Sequence, residues 1–360
     1  MLVRRDSPNG SNDMHVSYRP CRIGELLGNE TNKKIIKNAL DTKKVPHTQL
    51  FIGSAGCGKT TMARIVALGL NCEENGVGST PCLKCRTCLS IINESNQDVR
   101  EINVAQDGGK DHVKAIVQDL PFAPFSSRFK VIIFDEAHML TDAAKNLLLK
   151  PTETGYRHVY LIFCTNHPEK LMTKIKGAGE GEAFLSRCST HSFGRMATEL
   201  IEKLLINVCE FEGLDYSEAA VKMIAEASEG VPRTALVWLN QACVEGSWSM
   251  EAVKHICGTI SGTEEPKVYE LFRALNCGAF KDSLNVFDEI KSVSVEALRI
   301  AMMKFFVNSL RRTDSVELCR VYSRVLDVLS SPIYEQGKPA EYQWCNCMFK
   351  VTDIISEKRV

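Results

Sequence analysis

What this chain of 360 residues lacks narrows its class first. It has no excess of charge, with Lys plus Arg and Asp plus Glu at 44 each, so no global field drives it onto nucleic acid or an anionic surface. Any contact with nucleic acid must then come from local patches or from assembly. No stretch approaches the roughly 18 uninterrupted apolar residues of a membrane span, so no membrane partner is expected. The opening stretch, Met1 to Asp13, is polar and lacks the apolar centre of a signal peptide, which makes the expected location cytoplasmic. Internal repeats and low-complexity tracts are missing as well, which excludes a solenoid. Cysteine, by contrast, is plentiful at 15. In a chain of this size without a secretory signal, cysteines scattered through apolar segments act as small buried hydrophobes rather than as disulfides.

The length accommodates two or three domains, and the pattern divides into three after a disordered leader at 1–14: 15–197, 198–260 and 261–360. The first of these is organised around Leu50-Phe-Ile-Gly53-Ser-Ala-Gly56-Cys-Gly58-Lys59-Thr60-Thr61. An apolar strand leads into the G-x-x-x-x-G-K-T spacing of a phosphate-binding loop, and a helical pattern follows. Glycines let the backbone wrap an anion closely, and the helix start adds its positive dipole end. Lys59 is then expected at the β- and γ-phosphates and Thr60 at Mg²⁺. Tyr18, Arg19 and Pro20 are candidates for the base pocket.

Cys72, Cys82, Cys85 and Cys88 form C-x₉-C-x₂-C-x₂-C inside a polar loop, a poor place to bury four thiols. Four thiolates suit tetrahedral Zn²⁺ in a closed structural site; an iron–sulfur cluster is the other reading. Only Lys84 and Arg86 lie between these ligands as basic residues, too few for a nucleic-acid reader. Farther on, the continuous apolar run Val131 to Phe134 reads as a strand buried on both faces and ends in Asp135 and Glu136. Asp135 is expected to hold Mg²⁺ through water and Glu136 to orient and polarise the attacking water. The strand from Val159 ends in Thr165 and Asn166, whose amide could reach the γ-phosphate or that water. Strand and helix alternate up to this point, as in a doubly wound parallel sheet. From Thr198 onward the pattern is helical throughout. Leu298, Met302, Phe305 and Phe306 mark an apolar stripe expected to be core and subunit interface.

Phosphate loop, four cysteines, Asp135-Glu136-Ala-His138, Ser186-Arg187-Cys188 and Gly230-Val-Pro-Arg233 follow one another in the order of a clamp-loader ATPase. The chain is similar to the gamma/tau subunits of bacterial DNA polymerase III from about residue 16 to about 310. The resemblance implies an AAA+ P-loop NTPase with a zinc-binding insertion at 72–88, a helical lid at 198–260 and an all-α collar at 261–360. It implies ATP, Mg²⁺ and Zn²⁺ as cofactors, and as partners a pentamer of loader subunits, a sliding clamp, primed-template DNA and a DNA polymerase. By the same resemblance Tyr18, Arg19 and Pro20 border adenine and Asn166 is a sensor. Arg187 is the finger that reaches a neighbour's nucleotide, and Arg233 is the lid arginine that reads the γ-phosphate of its own subunit. Lys110, Lys114 and Lys145 are candidates for DNA phosphates. The chain departs from the family at Lys150-Pro151, where the helix is expected to stop, and in a longer loop before Ser186. These departures fit a divergent stand-alone loader, such as one acting in the cytoplasm of a virus-infected host cell. A non-hydrolysing ATP-binding scaffold and another AAA+ DNA-remodelling ATPase, such as a helicase loader, are the alternatives.

Overall fold

The computed structural model describes residues 4–5, 13–171, 186–257, 265–290, 295–313, 315–331 and 338–356. The glycine-rich loop expected at 173–183 lies outside them. The chain divides into two compact units, Met1–Val244 and Glu245–Val360.

In the first unit a short α1 (Met14–Ser17) precedes α2 (Glu30–Asp41), β1 (Thr48–Gly53), α3 (Lys59–Asn71) and α4 (Arg86–Ile92). Next come β2 (Val99–Asn103), α5 (Val104–Asp107), α6 (Lys110–Asp119), β3 (Lys130–Asp135), α7 (Asp142–Thr154), β4 (Val159–Thr165) and β5 (Ser189–Phe193). Three helices follow: α8 (Thr198–Glu212), α9 (Glu218–Ala227) and α10 (Pro232–Glu245), the last running to the boundary. The five strands form one sheet in the order β2-β3-β4-β1-β5, with every pair parallel. Alternate residues of a strand point to opposite faces, and β3 uses both. Val131 and Ile133 pack with Met62, Ile65 and Val66 of α3. Ile132 and Phe134 pack with Val113 and Ile116 of α6 and Leu148 of α7. The apolar run at 131–134 is therefore continuous because neither of its faces meets water. In such sheets ligands bind outside the carboxyl ends of the strands, where the order switches direction; here that is beside β1.

The structure corrects the sequence reading at the end of α7. The helix expected to stop by Lys150 runs through Pro151 to Thr154. Proline removes one N–H and crowds the preceding turn, but only one turn follows it, and Pro151 and Thr152 are both buried. Thr152 Oγ1 donates to Leu149 O at 2.8 Å and Gly155 N to Pro151 O at 3.1 Å, closing that turn. Strand β2 stops at Asn103, whose Oδ1 accepts the Ala105 N–H at 3.2 Å and starts α5. Strand β5, Ser-Thr-His-Ser-Phe, has no continuous apolar run. Among the described residues it is an edge strand that buries only His191 and Phe193 and pairs with β1 alone.

The second unit contains α11 (Met250–Ile256), α12 (Glu265–Asn276), α13 (Phe280–Glu289), α14 (Val295–Arg312), α15 (Val316–Leu329) and α16 (Lys338–Ser356). Leu298, Met302 and Phe306 of α14 are fully buried in its core with Phe272, Val325 and Trp344, and Phe305 sits partly buried at the edge. Among the described residues no helix is long and apolar enough to cross a membrane.

One carboxylate fixes the loop that precedes β3. Asp98 is 2% exposed and accepts the N–H groups of Phe125, Ser126 and Ser127 at 2.7, 2.7 and 2.8 Å. Burial alone would push its pKa up, but the three amides outweigh burial and hold it below the ordinary carboxylate value. A depressed folded pKa gives stability that is full above the unfolded value, about 3.9, and is lost as pH falls through the folded value. Asp98→Asn should therefore cost about 1–3 kcal/mol near pH 7. Urea midpoints measured from pH 7 downward should show the gap to the parent narrowing below about pH 4.

Candidate functional site

The loop between β1 and α3 turns where no side chain fits. A Cβ on Gly53 would stand 2.3 Å from Phe193 O and 2.9 Å from Cys57 Sγ, and one on Gly56 would stand 2.6 Å from Val231 Cγ1. Gly56 and Gly58 also have φ of +74° and +100°, in the left-handed region where a Cβ is strained. Gly58 is the N-cap of α3, so the first amides of the helix open toward the concave side of the loop. Lys59 is 5% exposed. Its ammonium donates to Gly53 O and Ser54 O at 2.8 and 2.9 Å, which keeps it along the loop.

The carboxyl ends of β3 and β4 bring further groups to the same edge. Thr60 Oγ1 donates to Asp135 Oδ2 at 3.1 Å, so the two oxygens expected around Mg²⁺ are already together. The next residue, Glu136, is left-handed at φ +52° and begins a short 3₁₀ turn. Its Oε2 and Asn166 Oδ1 are shielded from solvent and carry no hydrogen bond among the described residues. His138 Nδ1 lies 3.3 Å from that Glu136 oxygen and 3.4 Å from Thr165 Oγ1. Burial, reinforced by the Asp135 charge, pushes the Glu136 carboxyl up, while Lys59 opposes it. Burial, with His167 and Lys170, pushes His138 down, so its ring is neutral near pH 7. Two orphaned buried oxygens beside an ammonium and a hydroxyl–carboxylate pair fit a magnesium-bound polyphosphate.

A cavity of about 750 Å³ opens beside Gly56, Gly58, Lys59, Thr60 and Thr61 and extends to Tyr18, Arg19, Pro20 and Arg233. That is ample for a nucleotide. Tyr18 is buried, its ring edge-on to Phe211 at a centroid distance of 6.1 Å, and its hydroxyl donates to Glu212. Burial and that carboxylate raise its pKa, so the hydroxyl stays protonated. Arg233 lies in the first turn of α10, exposed at the cavity wall. Arg187 is held elsewhere, with Nη2 3.3 Å from Glu153 Oε2 in the last turn of α7. Of the lysines considered for phosphate contact, Lys110 and Lys114 are exposed. Lys145 is 6% exposed and donates to Lys170 O at 2.7 Å and Asp142 Oδ1 at 3.3 Å, which removes it from that set.

Sequence reasoning missed Arg5 and Glu25, which line the cavity beside Tyr18, Arg19 and Pro20, and Glu212, which accepts the Tyr18 hydroxyl. No motif marks them, because their roles come only from contacts between distant segments.

The four cysteines converge as their spacing predicts. Their sulfurs all lie within 4.8 Å of one another. Backbone amides turn onto them: Cys82 N to Cys72 Sγ at 3.3 Å, Cys85 N to Cys82 Sγ at 3.2 Å and Cys88 N to Cys85 Sγ at 3.4 Å. The last of these caps α4, and Cys72 closes the end of α3. Four sulfurs this close together make a donor set compatible with zinc.

The sequence family described as DNA polymerase III, delta subunit, matches residues 28–196. The chain is 32% identical over 282 residues to DNA polymerase III subunit gamma/tau of Mycobacterium tuberculosis, covering 78% of this chain and 46% of that protein. It is 33% identical over 273 residues to subunit tau of Bacillus subtilis, covering 76% and 46%. With subunit tau of Escherichia coli K12 the identity is 32% over 255 residues, covering 70% and 38%. The chain thus spans less than half the length of these relatives. Among solved structures, the Thermotoga maritima RuvB Holliday junction branch migration motor aligns over 71% of this chain and 78% of its own, with 17% identity and a TM-score of 0.47. The parallel sheet with its phosphate loop and paired acidic strand end, joined to this level of identity across some three quarters of the chain, makes the protein a P-loop member of the DNA polymerase III gamma/tau family.

Proposed function

We propose that the chain is an ATP-hydrolysing subunit of a clamp loader, acting in the cytoplasm with other loader subunits to open a sliding clamp and close it on primed DNA. The observation that carries this reading is the meeting of Lys59, the Thr60–Asp135 pair, Glu136 and Asn166 at the carboxyl ends of three adjacent strands, in a chain related to gamma/tau subunits.

Bound MgATP supplies the phosphoanhydride and the metal charge. The loop amides and Lys59 hold its phosphates, and Thr60 and Asp135 hold the metal. The Glu136 carboxylate, raised in basicity by burial and by Asp135, accepts a proton from water at the γ-phosphate. The Asn166 amide orients that water. Arg233 brings α10 onto the phosphates, so that α8 to α10 serve as a lid. Arg187 acts on a neighbouring subunit's nucleotide, where an arginine in trans is worth about 10³-fold or more, and Glu153 holds it meanwhile. The helices of the second unit form the collar through which a pentamer assembles. Cys72, Cys82, Cys85 and Cys88 would hold Zn²⁺, which would tie the end of the phosphate-loop helix to α4.

The clamp has a suitable contact. Phe122 and Phe125 are 67% and 82% exposed on the loop pinned by Asp98, and His158 lies 2.9 Å from Phe122 O. Large apolar side chains held out rigidly favour a protein partner over water.

Steady-state ATPase should rise with clamp and primed DNA together. Lys59→Ala should lose nucleotide binding, and Glu136→Gln should bind ATP but hydrolyse it about 10²–10⁴-fold more slowly. ATP bound by the parent but never hydrolysed would instead leave a scaffold. Metal analysis should find one zinc per chain, lost in Cys82→Ser with Cys85→Ser together with a fall in Tm. Replacing Phe122 and Phe125 by Ser should abolish retention on immobilised clamp.

A further inference from the structure

We propose that Arg4 and Arg5 are positioning residues for nucleotide binding, two guanidinium groups that fix the base-side wall of the cavity and join it to the end of α8. The inference rests on the nucleotide reading of that cavity and adds residues that no motif marks.

Arg5 does most of this. Its backbone N–H bonds Ser17 O at 2.9 Å, its Nη1 bonds Arg19 O at 3.1 Å, and its Nη2 reaches both oxygens of Glu25 at 2.9 Å. Glu25 Oε2 in turn accepts the Cys21 N–H at 2.9 Å. Residues 17–21, which include Tyr18, Arg19 and Pro20, are thus held from both ends by one ion pair. The two side chains are only 15% and 12% exposed, so the pair is weakly screened, and a forked guanidinium serving a carboxylate and a carbonyl fixes direction as well as distance. Arg5 itself lines the cavity.

Arg4 makes the second connection. Its Nη1 lies 2.9 and 2.7 Å from the two oxygens of Glu212, the last residue of α8 and the acceptor of the Tyr18 hydroxyl. One carboxylate therefore holds both the N-terminal segment and the cavity-lining tyrosine, and the same helix supplies Leu200 and Leu204 to the wall. Arg4 is 41% exposed, so its pair is worth less than that of Arg5.

The side-chain partners of the two arginines, Glu212, Arg19 O and Glu25, all lie outside the carboxyl ends of β3 and β4, where hydrolysis would occur, so the effect belongs to affinity and not to turnover. The wall is built before nucleotide arrives, and loosening it adds an ordering cost to binding.

The test is titration of the full chain with a fluorescent N-methylanthraniloyl ATP, alongside steady-state kinetics and Tm without nucleotide. Arg5→Ala should raise Kd and KM about tenfold, and Arg4→Ala or Glu212→Gln about threefold, with kcat within about twofold of the parent. The Arg4→Ala, Glu212→Gln double variant should be no worse than the singles, because they remove one interaction. Arg5→Lys should recover only part of the loss, since an ammonium cannot serve Arg19 O and both Glu25 oxygens. If Arg5→Ala fails to fold, the more exposed Arg4 and its Glu212 partner decide the matter. Unchanged Kd with a lowered Tm, or a fall in kcat at constant Kd, overturns the inference. Parent binding that is lost in Lys59→Ala, with the arginine variants equal to parent, overturns this inference alone. A parent that binds no nucleotide overturns the functional reading with it.

Discussion

The close approach of backbone at Gly53 and Gly56 is the constraint on which the rest of the first unit depends. At Gly53 the chain leaves β1 with Phe193 O where a side chain would begin, so the turn and the edge strand β5 exclude any residue with a Cβ. At Gly56 the same crowding comes from Val231, immediately before α10. Sheet edge, loop and helix start are thus fitted to one another around the same few atoms. The loop can curve tightly enough for several amides to converge only because three of its positions carry no side chain.

Around that curve, charge is arranged so that each group has a partner or a reason to lack one. Lys59 is buried but satisfied by two loop carbonyls. Asp135 is held by Thr60. Glu136 and Asn166 each keep a shielded oxygen that makes no hydrogen bond among the described residues, a costly arrangement for a purely structural residue. Desolvation raises the basicity of Glu136, and the same low polarity strengthens its interaction with whatever charge comes to the loop. Structural and chemical roles are separated in the chain: Asp98, Lys130 and Lys145 are also buried and charged, yet all have donors or acceptors of their own.

Much of this was legible in the residues. Glycine spacing followed by Lys59-Thr60 has local consequences, because loop curvature and helix start depend on adjacent residues. Asp135 and Glu136 were legible because an apolar run buried on both faces must end at a sheet edge. Four cysteines at short spacing converge because the intervening amides turn back on the sulfurs. Strand β5 was not legible: Ser189 to Phe193 owes its conformation to pairing with β1 and not to its own apolar content. Pro151 misled for a related reason, since the cost of the missing N–H is local while the burial that offsets it comes from packing. Lys145 looked like a phosphate ligand until the fold placed Lys170 O beside it.

The sequence by itself determined the phosphate loop, the paired carboxylates, the cysteine cluster and the helical character of the second half, since each is written in residues within a few positions of one another or in a regular period. Only the tertiary structure decided the cavity wall around Tyr18 and its charged supports. Tyr18 and Glu212 are 194 residues apart and Arg4 and Glu212 are 208 apart, and nothing in either segment specifies the other. Such pairs exist because the sheet and its helices bring the segments together, and the half-buried Glu212 carboxylate, at 17% exposure, is then costly to leave without a partner.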